Sequence, residues 1–257
     1  MIDIHLHILP GLDDGARDMD EAVRMCRMAR DDGETVLVAT PHMLDGLYDV
    51  TPEAAREGLA ALRARLAEEC VDIRLEVGGD VHVATDIPRL VQEGKALTVA
   101  DKGSHIMLEL PQHVVPTGLS DCLFGAQLAG ITPIVSHPER NFAVQEDPDA
   151  LLPLLEAGNL VQITARSLTG GFGREARECS LELVERGLAH VVASDAHSST
   201  RRRPGLSRAR EVVADLVGEE EAAAMFVERP CRIVEGGRVE PPHPKRRRRR
   251  RWVFWGA

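Results

Sequence analysis

Only five of the 257 residues are cysteine (Cys26, Cys70, Cys122, Cys179 and Cys231), and no two of them stand as C-x-x-C. That scarcity excludes a zinc knuckle, a redox dithiol and a disulfide-stapled module, and it leaves buried free thiols as the expectation. No cysteine has an arginine at the sixth position after it, so the C-x5-R chemistry of cysteine phosphatases has no nucleophile. No apolar run approaches the ~20 residues that cross a bilayer. The opening Met-Ile-Asp-Ile-His-Leu-His does not have the basic, apolar and small-residue order of a signal peptide, so a cytoplasmic location is expected. Phosphate-cradling loops are missing too: Gly170, Gly171, Phe172 and Gly173 have neither a G-x-x-x-x-G-K-[ST] nor a G-x-G-x-x-G context, and read as a mobile loop entering a helix. Asp18-Met19-Asp20 mimics the D-x-D of aspartyl phosphatases, but it opens a helix instead of ending a strand.

The chain is 44% hydrophobic and 28% charged, the balance of a globular protein with one substantial core. Its formal net charge is −10, yet residues 245–251 form an unbroken run of seven cations, so the rest carries −17. An acidic body argues against nucleic acid as a partner and suits a protein that collects divalent cations. Residues 1–236 read as one domain, and 237–257 as a disordered polybasic tail.

Short β-branched runs alternate with helical periodicity. Strands are expected at 2–5, 36–40, 73–77, 106–110, 132–136, 160–164 and 190–194. Helices between them are marked by Asp18 as N-cap and Gly33 as stop, by Thr51 and Pro52 as cap and first position, and by Leu206, Ala209, Val213 and Leu216 on one face. Seven βα units predict a closed or nearly closed (β/α) barrel, with an open doubly wound sheet as the alternative.

His5 and His7 end the first strand on the same side. Candidate ligands recur at the C-terminal ends of the other strands, where a barrel assembles its site. Asp13 and Asp14 follow the first strand, His42 the second and Asp80 the third. Glu109 closes the fourth, His137 the fifth, and Asp195 and His197 the seventh. This mixed N/O set suits Zn²⁺, Mn²⁺ or Fe²⁺, and it exceeds what one ion needs, so two or three are expected. Ions bridged in that way activate water and clamp a phosphoryl group. Arg140, three residues past His137, and Arg203, past His197, suit an anionic substrate. His82, His105, His113, His190 and His243 read as surface or packing residues.

In this order and spacing, the segments M-I-D-I-H-L-H, D-D-G, A-T-P-H, G-G-D, L-E-L, S-H-P-E-R and A-S-D-A-H resemble the polymerase-and-histidinol-phosphatase (PHP) superfamily. Within it, the chain looks most like the bacterial manganese-dependent protein-tyrosine phosphatases of capsule and exopolysaccharide operons. The resemblance runs from Met1 to about Val234. It implies a distorted (β/α)7 barrel with a trinuclear centre. One ion would be held by His5, His7, Asp80 and Asp195, a second by Asp80, Glu109 and His137, and a third by Asp14, His42 and His197. It also implies that Arg140 and Arg203 bind phosphate, and that a metal-bound hydroxide attacks the phosphorus of phosphotyrosine. Mn²⁺ is the expected cofactor, with Fe or Zn²⁺ as alternatives. Asp80 departs from the family's usual Glu.

The implied substrate is the phosphorylated tail of a tyrosine autokinase controlling capsule or exopolysaccharide synthesis. Two alternatives stay open. One is a small-molecule phosphoesterase of the superfamily, acting on histidinol phosphate or a nucleotide. The other is a non-catalytic protein placed at an anionic membrane surface by residues 246–251 with Trp252, Phe254 and Trp255.

Overall fold

The computed structural model describes residues 1–240 except Asp49 and Thr85, so residues 241–257, most of the expected tail, lie outside the described residues. Within them Val239 is buried in a core cluster with Ile2, Ile4 and Ile233.

Among the described residues nine strand segments form, every pair parallel: β1 (Ile2–Leu6), β2 (Val36–Ala39), β3 (His42–Met43), β4 (Arg74–Val77), β5 (Asp80–His82), β6 (His105–Glu109), β7 (Thr132–Ser136), β8 (Leu160–Thr164) and β9 (Val191–Ala193). They pair in the orders β1-β2-β4 and β3-β5-β6-β7-β8-β9. β3 resumes β2 after residues 40–41, and β5 resumes β4 after Gly78 and Gly79. Bonds from Gly78 N to Ala39 O (2.8 Å) and from Asp80 N to Pro41 O (3.1 Å) carry the pairing across both breaks. β9 returns to β1 through Asp195 N to His5 O and His7 N to Ala196 O, each 2.8 Å. Seven staves thus make a distorted (β/α)7 barrel, split at its N-terminal end where the turn Val99–Asp101 packs between β4 and β6. β1 and β8 are buried at every residue, as parallel strands covered on both faces must be.

The helices begin where the sequence provides caps. Asp18 accepts from Glu21 N (2.8 Å) at the start of Met19–Asp31, and Thr51 accepts from Ala54 N (3.2 Å) ahead of Pro52–Glu68. Helix Ser207–Val217 has no cap of its own. Asp32, just past the end of the first helix, accepts from Leu206 N (2.7 Å) and Ser207 N (2.8 Å) instead. Among the described residues, no helix is long and apolar enough to cross a membrane. All five cysteines are free; Cys26 and Cys179 are buried and Cys70 is exposed.

The seven expected strands are all present, with ends shifted by a residue or so. β3 and β5 are additional. At two and three residues they are too short to show alternation, and the chain breaks that isolate them place His42 and Asp80 on strand instead of loop.

Candidate metal centre and active site

The nine candidate ligands converge at the C-terminal mouth of the barrel. β1 supplies His5 and His7, and the following loop folds back so that Asp13 and Asp14 reach them. That return requires glycine at position 15, because a Cβ there would stand 2.1 Å from His7 O. Asp13 Oδ2 accepts from His42 N at 3.1 Å and bonds His7 Nδ1 at 2.7 Å, which turns His7 Nε2 inward. Gln162 Oε1 does the same for His5 Nδ1 at 2.9 Å. His137 (φ 36°) and Asp195 (φ 50°) directly follow β7 and the end of the β9 stave in the left-handed region, a strain of about 1–3 kcal/mol each for non-glycine residues. The twist bends both side chains back over the strand ends.

The donor spacings are the signature of the cluster. His5 Nε2 lies 3.5 Å from both Asp80 Oδ2 and Asp195 Oδ1, and His7 Nε2 lies 3.4 Å from Asp195 Oδ1. His42 Nδ1 is 3.6 Å from both Asp80 Oδ2 and Glu109 Oε2, and His42 Nε2 is 3.6 Å from Asp14 Oδ1. His137 Nε2 stands 3.6 Å from Glu109 and 3.8 Å from Asp80, and His197 Nε2 3.3 Å from Asp14. These separations exceed ordinary hydrogen bonds. They fall within, or a few tenths of an ångström beyond, the edge of a polyhedron whose donors sit about 2.1 Å from a common ion, which is roughly 3.0–3.5 Å. Three groupings have this compactness: His5, His7 and Asp80; His42, Asp80 and Glu109; and His7, Asp14, His42 and His197. Asp80 Oδ2, shared by two of them, is fully buried with no hydrogen-bond partner, while its Oδ1 accepts from Ser136 Oγ at 3.1 Å. A buried, unpaired carboxylate oxygen facing three imidazoles fits a cation.

Protonation favours ligation. Burial and Arg140 hold His137 down at about 4, burial and the charge of His7 hold His197 at about 4, and the same two causes lower His42. Against the penalty of burial, His5 and His137 keep Asp80 well below the carboxylate range, and Arg140 and His5 do so for Asp195. Neutral imidazoles and ionised carboxylates are the metal-binding forms. Three groups hold their protons more tightly than usual and would have to give them up. Against burial, Asp80 and Asp195 raise His5 above the ordinary imidazole value. Burial and Asp80 push Glu109 up to about 7, and at His7 the bonds to Asp13 and Asp195 outweigh burial and raise it to about 10.

Beside the cluster lies a cavity of about 400 Å³. Two guanidiniums enter it on the same carboxylate oxygen: Arg140 at 2.8 Å and Arg202 at 2.5 Å from Asp195 Oδ2. The expected Arg203 is not brought here; it lines a neighbouring cavity, and the register of three consecutive arginines carries no signal that distinguishes them. Phe172, read from sequence as part of a mobile loop, lines the site with Arg140, Arg202 and Arg166 at 4.9, 5.6 and 5.8 Å from its ring centroid. His82 also lines the cavity instead of the surface. Tyr48, the chain's single tyrosine, stacks on His42 at 5.9 Å and went unread. His190 is structural: its Nδ1 accepts from Val161 N at 2.9 Å.

The chain is 35% identical over 251 residues to the tyrosine-protein phosphatase YwqE of Bacillus subtilis, covering 97% of this chain and 98% of that protein. It is 27% identical to the tyrosine-protein phosphatase CpsB of Streptococcus pneumoniae, covering 91% and 98%. A crystal structure from work on YwqE and CpsB, described there as unique metal-dependent tyrosine phosphatases, superposes with a TM-score of 0.92 at 34% identity, over 97% of this chain and 100% of that one. A phosphotriesterase from Mycobacterium tuberculosis shares the fold alone, with a TM-score of 0.56 at 13% identity over 93% and 94%. The sequence profile of the family described as capsular polysaccharide synthesis, CpsB/CapC, matches residues 1–235, and the chain belongs to that family.

Proposed function

We propose that the chain is a metal-dependent protein-tyrosine phosphatase that hydrolyses phosphotyrosine on a partner protein. The observation that carries this reading is the meeting, at one barrel mouth, of a nine-residue donor cluster with Arg140 and Arg202 on a single oxygen of Asp195. In this reading His5, His7, Asp14, His42, Asp80, Glu109, His137, Asp195 and His197 hold two or three ions, Mn²⁺ ahead of Fe or Zn²⁺. Such ions supply Lewis acidity and make water a nucleophile at neutral pH. Arg140 and Arg202 grip the phosphoryl oxygens through their remaining N–H groups, and Asp195 keeps the two guanidiniums side by side. Asp13 and Gln162 hold the first-strand imidazoles in one tautomer.

The activity carried in the names of the relatives supports a protein substrate over histidinol phosphate or a nucleotide, and the family description supports a role in capsule synthesis; in this reading the substrate is a tyrosine autokinase and the site of action the cytoplasm. The cation run with Trp252, Phe254 and Trp255 supports contact with anionic lipid. The test is phosphate release from a phosphotyrosine peptide and from histidinol phosphate by chelator-treated protein, with and without Mn²⁺, beside Asp195→Ala. Mn²⁺-dependent release from the peptide, lost in the variant, is expected. Faster release from histidinol phosphate overturns the protein-phosphatase reading.

A further inference from the structure

A second cavity, about 620 Å³, is lined by Arg166, Arg203, Arg208, Asp31, Asp32 and Ser207 among others. Its charges are unequally compensated. Asp31 is paired with Arg30 at 2.7 Å, and both oxygens of Asp32 are taken up by Leu206 N, Ser207 N and Ser207 Oγ. The arginines have no such partners. Arg166 reaches only the carbonyls of Arg201 and Gly171, and Arg203 and Arg208 have no carboxylate within ion-pair distance among the described residues. The cavity therefore presents three guanidiniums without an ion-pair partner among the described residues, beside the carboxylates of Asp31 and Asp32, on a body whose net charge is strongly negative. Arg166 belongs to both sites, because its guanidinium also lies against Phe172, which lines the active-site cavity.

Resting on the phosphatase reading above, we infer that this cavity is a subsite for a second anionic side chain of the same substrate peptide, a carboxylate or another phosphoryl group within a few residues of the scissile phosphotyrosine. An extended peptide advances about 3.3 Å per residue, so a segment running from the catalytic cavity past Arg166 brings a flanking residue to Arg203 and Arg208. Guanidinium recognises carboxylate and phosphoryl oxygens alike. The acidic remainder of the surface repels the same peptide and so restricts it to this track.

The test is calorimetric binding to the metal-loaded protein of three peptides in which a phosphonate that resists hydrolysis replaces the phosphotyrosine. One is flanked by Glu, one carries a second phosphotyrosine, and one is flanked by Gln. The Glu and doubly anionic peptides are expected to bind about tenfold more tightly than the Gln peptide at low salt, with the advantage shrinking as salt is added. In Arg203→Gln/Arg208→Gln, with its melting temperature measured as a check on folding, the three affinities are expected to converge on that of the Gln peptide. Equal affinities in the unaltered protein, or a preference that survives in the double variant, overturns the subsite. Failure of the phosphatase reading shows elsewhere, as absence of Mn²⁺-dependent phosphate release, while these binding differences remain measurable.

Discussion

Asp80 stands at the centre of the cluster with one oxygen held and one free, and that division makes it separable from folding. Asp80→Asn keeps an oxygen that accepts from Ser136 Oγ and replaces the orphaned Oδ2 with an amide facing His5, His42 and His137. Mn²⁺ affinity, read by calorimetry, is expected to fall at least 100-fold with little change in the far-ultraviolet spectrum; unchanged affinity would remove Asp80 from the metal set. Phe172 makes a different kind of contribution, since its ring lies beside the guanidiniums of Arg140 and Arg202, whose like charges repel. The ring's negative face offsets part of that repulsion, at about 0.5–2 kcal/mol per contact. Phe172→Leu retains bulk without the quadrupole and is expected to weaken competitive inhibition by inorganic phosphate about three- to tenfold, with Mn²⁺ binding unaltered. Phe172→Trp is expected to restore it. Equal inhibition constants for the leucine and tryptophan variants would reduce Phe172 to a spacer. Residue identity at strand ends was legible in the sequence because a parallel barrel gathers those ends. The partners of those residues were not. Nothing local distinguishes Arg202 from Arg203, and the ring that meets the arginines arrives from a loop about 30 residues away in sequence.

At the scale of elements, the βα rhythm was readable wherever a strand was long enough to expose both buried faces, as at β1, β7 and β8. It failed where the chain breaks a stave in two. Gly78 and Gly79 interrupt the third stave, and the short segment beyond them follows the bond that Asp80 N donates to Pro41 O and its pairing with β6, which are tertiary constraints that periodicity does not contain. Capping shows the same division. Asp18 and Thr51 cap their own helices and were visible, whereas Asp32 caps a helix 174 residues away by satisfying two backbone donors and a hydroxyl. Removing it exposes those donors without replacement. Asp32→Ala is expected to cost about 1–2 kcal/mol and lower the melting temperature by roughly 2–8 °C. A scanning calorimetry trace superimposable on that of the unaltered protein would show that the cap contributes nothing.

Across the whole molecule, charge is distributed with purpose at the mouth and with strain at the opposite end of β1. Asp3 and Glu34 are both buried there; burial pushes Asp3 up to about 6, and burial together with Asp3 and Asp32 raises Glu34 well above the usual carboxylate range. Neither oxygen of Glu34 has a hydrogen-bond partner among the described residues. A carboxyl whose folded-state value exceeds its unfolded one binds its proton more tightly when folded. Its contribution to stability is complete below the ordinary glutamate range, near 4.5, and is lost as pH rises through the raised folded value. Alkalinity therefore works against this fold at Glu34, the reverse of a salt-bridged surface acid. Glu34→Gln removes the titration and keeps the shape, so denaturant unfolding at a series of pH values from about 3.5 to 8 is expected to show a shallower loss of stability in the variant than in the unaltered protein. The two curves should meet at the acid end, where Glu34 is protonated in both folded and unfolded chains, and separate steadily above it. Parallel curves across that range would mean that Glu34 ionises in the folded protein as readily as in water, and that the buried pair imposes no pH-dependent load on the barrel.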